Sequence, residues 1–406
     1  GYAVMPGGLG RVHSTPEAAL PLSGQLGGLG KDVWVLASEP ERQETLLPLS
    51  EITPAVVQES AVSSRVADNL FWIGRYAERA EGLVRLLRVT IFKYAERSDY
   101  PLSPASSSCL RALLEALTQQ TQTFPGFLGP GAEERLNDPV PELLALISDR
   151  SLVGSLPQTL EALGQAAYSV RDRLSADTWR IIGDIEALQA SLADHPPRVL
   201  SQALDELDPL VTSLVAFSGL TQENMTHNEG WHFLETGRRL ERGATTASLL
   251  RSTLVPVAGE ADENMLIEAV LGVTDSTITY RRRYRGGPRV GALLVLVFQD
   301  EGNPRALAYQ LAMLGRLVTE LPRGDLAVGR TPAEKLALKS LTDIRLAEIN
   351  QLIQVDETGQ QRARLAEMLA ELNLQLAALS DAITAQYFRH EEQPHSLLSR
   401  VAEVPV

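Results

Sequence analysis

The sequence predicts an all-α protein: a large multi-helix bundle with an internal pseudo-repeat, preceded by a short glycine-rich remnant with candidate β-strands. Three observations predict it. From Ser63 onward, apolar residues recur at helical spacing over nearly the whole chain. A residue string in the first long helical stretch returns later in the chain. Eight glycines crowd into the first 36 residues, a composition foreign to the rest.

Taken in order, residues 1–36 carry two glycine clusters, around Pro6-Gly7-Gly8-Leu9-Gly10-Arg11 and Gly27-Gly28-Leu29-Gly30-Lys31-Asp32, and end in the extended-looking Val33-Trp34-Val35-Leu36. Glycines let backbone approach an anion, and Arg11 and Lys31 could add charge; tight turns joining short strands are the competing reading. Neither cluster is a P-loop, because Asp32 follows Lys31 where Ser or Thr is needed. The segment is too short for a core of its own, and a start on Gly rather than Met suggests the end of a larger domain. Residues 37–62 read as an acidic linker, and residues 63–406 as the helical domain.

The first helix spans about Ser63–Arg97, with Ser63 or Ser64 as N-cap. At about 100° per residue it gathers Val66, Leu70, Ile73, Ala77, Ala80, Val84, Leu87 and Ile91 on an apolar face. Asp68, Trp72, Arg75 and Arg79 form a stripe nearly opposite, with Glu78 and Gly82 at its margin. A short helix follows around Cys109–Thr121; Phe124–Val140, rich in Gly and Pro, reads as a long surface loop and candidate lid. Further helices are expected at about 141–147, 156–174, 176–192 and, entered through Pro196-Pro197, 197–225. The next run, about Asn228–Leu254, is the repeat. Gly74, Arg75, Glu78, Arg79, Leu86, Leu87 and Arg88 recur as Gly237, Arg238, Glu241, Arg242, Leu249, Leu250 and Arg251, at a constant offset of 163. Seven identities in register over fifteen positions argue for a duplicated helix or for two helices under one constraint.

A helix over about 264–280 then runs into Arg281-Arg282-Arg283-Tyr284-Arg285, the strong positive focus of the chain. It suits either a solvated helix end or an anion site. Asn303-Pro304-Arg305 predicts an N-cap with proline at N1, a helix start that brings Arg305 to an anion-favouring terminus. Leu-rich helices at about 332–355 and 359–390 close the chain as core.

Bulk composition excludes several classes. The 37 basic and 51 acidic residues leave a charge of −14, which opposes general binding to DNA or anionic membranes. One cysteine, Cys109, allows no intrachain disulfide or thiolate metal cluster and fits a reducing, cytoplasmic setting. No run approaches the roughly 18 apolar residues of a membrane span, and the opening residues lack the pattern of a secretory leader. His227 and His232 are five apart and miss the His-Glu-x-x-His spacing, so no metal site is read there.

The residues also resemble a known family. Ser64-Arg65-Val66-Ala67-Asp68-Asn69-Leu70-Phe71-Trp72-Ile73-Gly74-Arg75-Tyr76-x-Glu78-Arg79-Ala80 is similar to the opening of the alpha-E domain, an all-helical bacterial domain. The likeness continues through Gly230-Trp231-x-Phe233-Leu234-x-x-Gly237-Arg238-x-x-Glu241-Arg242, Tyr280-Arg281-Arg282-Arg283-Tyr284 and Asn303-Pro304-Arg305. Residues 1–36 resemble the C-terminal end of a circularly permuted ATP-grasp domain, on Pro6-Gly7-Gly8-Leu9-x-Arg11-Val12 and Gly27-Gly28-x-x-Lys31-Asp32-x-Trp34-Val35. Leu29-Gly30 and Val33 stand where that pattern has small polar residues.

What the resemblance implies is a place in an ATP-dependent carboxylate–amine (peptide) ligase system, an amidoligase, with an ATP-grasp domain in the same longer chain or a separate one. Transglutaminase-like and proteasome-like proteins are implied partners. No cofactor is expected in this chain, ATP and Mg belonging to the absent ATP-grasp portion, and no complete catalyst is expected in it alone. The residues themselves offer Arg65, Asn69, Trp72, Arg75, Arg79, Arg238, Arg242, Tyr280, Arg281, Tyr284 and Arg305 as candidate anion- or substrate-binding residues and Glu78 and Glu241 as candidate catalytic bases, while the ATP-grasp likeness adds Arg11, Lys31 and Asp32 as candidate remnant contacts. Two readings of the repeat stay open. The two helices could pack through Gly74 and Gly237 around an Arg/Glu-lined cleft for an acidic peptide, carboxylate or phosphorylated intermediate. Alternatively their charges form an ion-pair lattice in a non-catalytic scaffold that docks ligase and partners. A cavity with more guanidiniums than carboxylates would favour the first.

Overall fold

The structure, a computed structural model, describes residues 7–12, 29–34, 62–99, 104–323 and 329–388. The chain divides into two compact units, 1–60 and 61–406.

In the first unit β1 (Gly7–Val12) and β2 (Leu29–Trp34) pair antiparallel, with Gly10 opposite Lys31 and Arg11 opposite Gly30. The expectation of turn glycines is thereby corrected at Gly7, Gly8, Gly10 and Gly30, which lie inside the strands, each opposite a larger residue (Trp34, Val33, Lys31 and Arg11); a glycine in a ladder costs side-chain packing but no hydrogen bonds. Lys31 and Asp32 are exposed. The expected linker, 37–62, falls outside the described residues apart from Val62.

Among its described residues the second unit is helical, apart from one isolated bridge between Pro256 and Gln361: α1 (Ser64–Asp99), α2 (Pro104–Thr121), α3 (Ala132–Asn137), α4 (Val140–Ser148), α5 (Leu156–Tyr168), α6 (Ala176–Asp194), α7 (Leu200–Asn224), α8 (Glu229–Leu254), α9 (Glu260–Val273), α10 (Thr277–Arg283), α11 (Val290–Leu294), which continues as a π turn at Val295–Gln299, α12 (Leu307–Thr319), α13 (Pro332–Leu346), α14 (Ile349–Leu352) and α15 (Ala363–Tyr387). The two helices carrying the repeat, α1 and α8, make the most extensive packing of any pair and form the centre of the bundle. Ser63 Oγ caps α1 by accepting from Val66 N, and Asn228 Oδ1 caps α8 by accepting from Gly230 N and Trp231 N. Val62 N donates to Glu229 Oε2, tying the two starts together. The outer shell includes α2, α5, α7, α9, α12 and α15, and the predicted apolar positions Ile73, Leu87, Leu341, Ile344, Leu369 and Leu379 are buried among them.

Several predicted helices are shorter or broken, each for a local reason. The run to Leu174 stops at Tyr168 and resumes as a single 3₁₀ turn at Arg171–Arg173. The helix expected over 264–280 splits at Asp275, whose φ of 50° is left-handed, while Ser276 N bonds back to Leu271 O. The helix expected over 332–355 ends at Leu346, because Ala347 turns extended. Pro196-Pro197 lie before α7 rather than in its first turn. The candidate lid is no lid: it holds α3, Phe127 is fully buried, and Arg135 donates to Gly126 O and Pro130 O. No described helix is long and apolar enough to cross a membrane.

Candidate functional site

The α1–α8 crossing is set by two glycines. A Cβ on Gly74 would lie 2.0 Å from Leu234 O, and one on Gly237 would lie 2.1 Å from Phe71 O. Phe71 and Leu234 are themselves 163 residues apart, so the contact is reciprocal: each helix presents its glycine to the same position of the other. Backbones that close draw the long side chains of the next turns across the interface.

There the pairing is crosswise. Arg75 Nε donates to Glu241 Oε2 at 2.7 Å, and Arg79 Nε to Glu241 Oε1 at 2.6 Å. In return Arg242 Nε and Nη2 both donate to Glu78 at 2.5 Å, with Arg238 Nε 3.6 Å from the same carboxylate. Partner separations of 166, 162 and 164 residues bracket the repeat offset, so α1 and α8 run parallel and in register. The predicted side-by-side meeting of the two Gly-Arg-x-x-Glu-Arg helices is what the structure contains.

The network extends beyond the repeat. Glu81 accepts from Arg85 at 2.8 Å and Arg305 at 2.7 Å, with Arg242 3.4 Å away. Glu235 accepts from Arg238 and Arg239. Seven guanidiniums thus share four buried carboxylates, and exposed Asp275 adds a further acid 3.5 Å from Arg85. Burial alone would raise the pKa of Glu81, yet Arg305, Arg242 and Arg85 outweigh it and hold the group at about 2. Glu241 is lowered in the same way, burial being overcome by Arg79 and Arg75, and Glu235 by Arg238 and Arg239. A carboxylate whose two oxygens are taken by guanidiniums, and whose pKa is depressed, is a poor proton acceptor at neutral pH. Glu241 is thus held as a carboxylate with both oxygens engaged by Arg75 and Arg79.

On the Glu241 side a cleft of about 270 Å³ opens between α1, α2, α5 and α8. Arg75, Arg79 and Glu241 line it together with Gln119, Gln120, Thr159, Thr245 and Ser248, so it contains two cations and one carboxylate. Arg79 commits its Nε to Glu241 and keeps 31% of its side chain accessible. Gln120 Nε2 is buried without a partner among the described residues, beside Gly82 and Thr245. On the Glu78 side the cavity shrinks to about 30 Å³, room for about one water molecule.

Of the other predicted residues, Arg305 joins the network, but not from a helix N-terminus. The expected N-cap at Asn303 is corrected: α12 begins at Leu307, while Asn303 Oδ1 accepts from Arg305 N and its Nδ2 donates to Leu296 O, a local turn that replaces the cap. Trp72 stacks on Tyr76 and carries the Arg75 guanidinium 4.9 Å from its ring centroid. Arg65 and Asn69 do not reach the cleft; Asn69 Nδ2 donates to Arg65 O on the outside of α1. Tyr280, Arg281 and Tyr284 line a separate cavity. Sequence reasoning missed Glu81, Arg85, Glu235, Arg239 and Gln120. The i,i+4 spacing of Glu81 with Arg85 and of Glu235 with Arg239 was a usable signal; Gln120 gave none.

Residues 62–388 match the model of the Alpha-E family, described as a predicted alpha-helical domain with a conserved ER motif. The chain belongs to the Alpha-E family. In this Alpha-E domain two Glu-Arg pairs, Glu78-Arg79 and Glu241-Arg242, stand at the centre of the buried network. Uncharacterized proteins of Mycobacterium tuberculosis (Rv2567) and Mycobacterium bovis (Mb2597) are each 35% identical to it over 405 residues, 95% of this chain. The chain spans 44% of the length of those relatives. No solved structure matches it.

Proposed function

We propose that this Alpha-E domain is the helical partner of an ATP-grasp-type carboxylate–amine ligase system, and that the cleft at Arg75, Arg79 and Glu241 holds an acidic peptide, a carboxylate or a phosphorylated intermediate. The observation that carries the proposal is the cationic excess at an open cleft: two guanidiniums and a single carboxylate, continuous with a network in which arginines outnumber acids. Buried charge is tolerated when paired, so surplus guanidiniums beside accessible space call for an anion. Gln120 Nε2 and the hydroxyls of Thr159 and Ser248 would serve the polar remainder of the ligand. In this reading the domain binds and orients an acid while the ligase portion supplies ATP and Mg, and the setting is cytoplasmic.

A second reading draws on the Glu78 side, where the ions are closely paired and the space is nearly filled. There the motif is a lattice, and a scaffold that docks ligase and partner proteins would need no more. The deciding measurement is mass spectrometry of the products formed by the ATP-grasp ligase together with this chain, intact or as Arg79→Ala. Loss of product with a variant that still unfolds cooperatively supports the cleft. Unchanged product, or a variant that no longer folds, supports the lattice.

A further inference from the structure

Beyond the network, the C-terminal half of α1 and the α9–α10 turn enclose a cavity of about 370 Å³ that shares no residue with the anion cleft. Its wall is aromatic. Phe92, Tyr280 and Tyr284 all line it, in a chain with only 5% aromatic residues. Tyr280 is buried and locked, its hydroxyl accepting from Arg289 N at 2.9 Å; Tyr284 lies against it at 4.9 Å between ring centroids. Phe92 leaves half of its surface accessible at the edge of the cavity. The rim is charged. Lys93 already bonds Glu96, whereas Arg281 and Glu268 have no ion pair among the described residues. Of the basic run in which Arg281 stands, Arg283 alone is paired among the described residues, with Asp300.

Three demands are therefore made of an occupant: a flat apolar group for the rings, one anionic group for Arg281, and a donor for Glu268. A polyphosphate meets the second and is repelled by Glu268. We propose that the cavity holds the C-terminal aromatic residue of a peptide, its ring against Phe92, Tyr280 and Tyr284, its carboxylate on Arg281 and its amide N–H toward Glu268. A volume of this size lies within the range of small-ligand sites. The proposal goes beyond the anion cleft and stands without it.

The test is ¹⁹F NMR on the whole chain with N-acetyl-4-fluorophenylalanine, and with the same molecule as its carboxamide. The acid is expected to broaden saturably, to be displaced by N-acetylphenylalanine but not by N-acetylalanine, and to bind about tenfold tighter than the carboxamide. Arg281→Ala should bring the acid down to the carboxamide and leave the carboxamide unchanged, while Phe92→Ala weakens both. Both side chains are exposed, so the variants keep the fold, as circular dichroism would verify. Equal binding of acid and carboxamide, no saturable binding, or an equal loss of both in Arg281→Ala overturns the proposal. So does displacement by adenosine monophosphate at a lower concentration than by N-acetylphenylalanine, which would give the cavity to a nucleotide.

Discussion

The grooves on the two sides of the α1–α8 pair are built from equivalent positions, yet one encloses about 30 Å³ and the other about 270 Å³. Shifting Glu78, Glu81, Gly82 and Arg85 by the repeat offset of 163 yields Glu241, Ala244, Thr245 and Ser248. The central glutamate is kept on both sides; what differs is the next turn. Where α1 carries the Glu81–Arg85 pair, which also draws in Arg305, α8 carries Ala244 and Ser248, whose short side chains leave the groove open. The comparison teaches that the shared motif builds the crossing, and that the residues flanking it decide whether a side is filled by the protein or left open.

The largest expected effect tests what the two sides share. Gly74→Ala and Gly237→Ala each drive a Cβ into backbone oxygen, and relief requires the helices to separate. Both should cost about 5 kcal/mol, enough to abolish cooperative folding. If one is tolerated while the other is not, the reciprocal contact is not what sets the crossing.

The arginines should then behave unequally. Arg242→Ala leaves Glu78 buried with a weakened partner and should cost about 4 kcal/mol in urea unfolding. Arg79→Ala removes a partly accessible side chain while Arg75 keeps hold of Glu241, and should cost about 1 kcal/mol. Equal losses would mean that both sides are lattice.

Acid should loosen both sides, since Glu81, Glu235 and Glu241 are all held below the ordinary carboxylate range. The Glu81 carboxyl sits at about 2 in the fold against an ordinary 4.5, so its contribution is complete above pH 4.5 and is lost as pH falls toward 2. That loss is worth about 3 kcal/mol. Glu81→Gln should lower stability at neutral pH and flatten its decline below pH 4.5; an unchanged decline would place the acid-sensitive groups elsewhere.

The smallest expected change in stability comes from making the two sides alike. Ala244→Glu with Ser248→Arg installs on α8 the pair that α1 already carries, and should shift stability by about 1 kcal/mol or less. The same double substitution should abolish any rise in thermal midpoint produced by phosphate or succinate at constant ionic strength. A rise that survives would put the anion outside this cleft.

Much of this was legible before any coordinates. The helical class follows from apolar spacing, and the meeting of α1 with α8 follows from the offset of their shared string; that the two run parallel was decided by the structure, because two-fold-related antiparallel helices would repeat the same residues equally well. The glycine contact was legible as well, since only the absence of a Cβ serves a backbone crossing that close. Helix ends at Tyr168, Val273 and Leu346 were not, because their stops are hydrogen bonds and single dihedrals with little residue signature. Arg305 was legible as a charged residue of interest but not as a partner of Glu81, 224 residues away.

The residues by themselves determined which two helices belong together and which groups they share, since identical types at a fixed spacing carry that information along one dimension. Only the tertiary structure decided which side of the pair stays open. That depends on how α2, α5, α9 and Arg305 close around the crossing, and on whether the volume left over exceeds what neighbouring side chains can fill, a property of packing in three dimensions that no local spacing encodes.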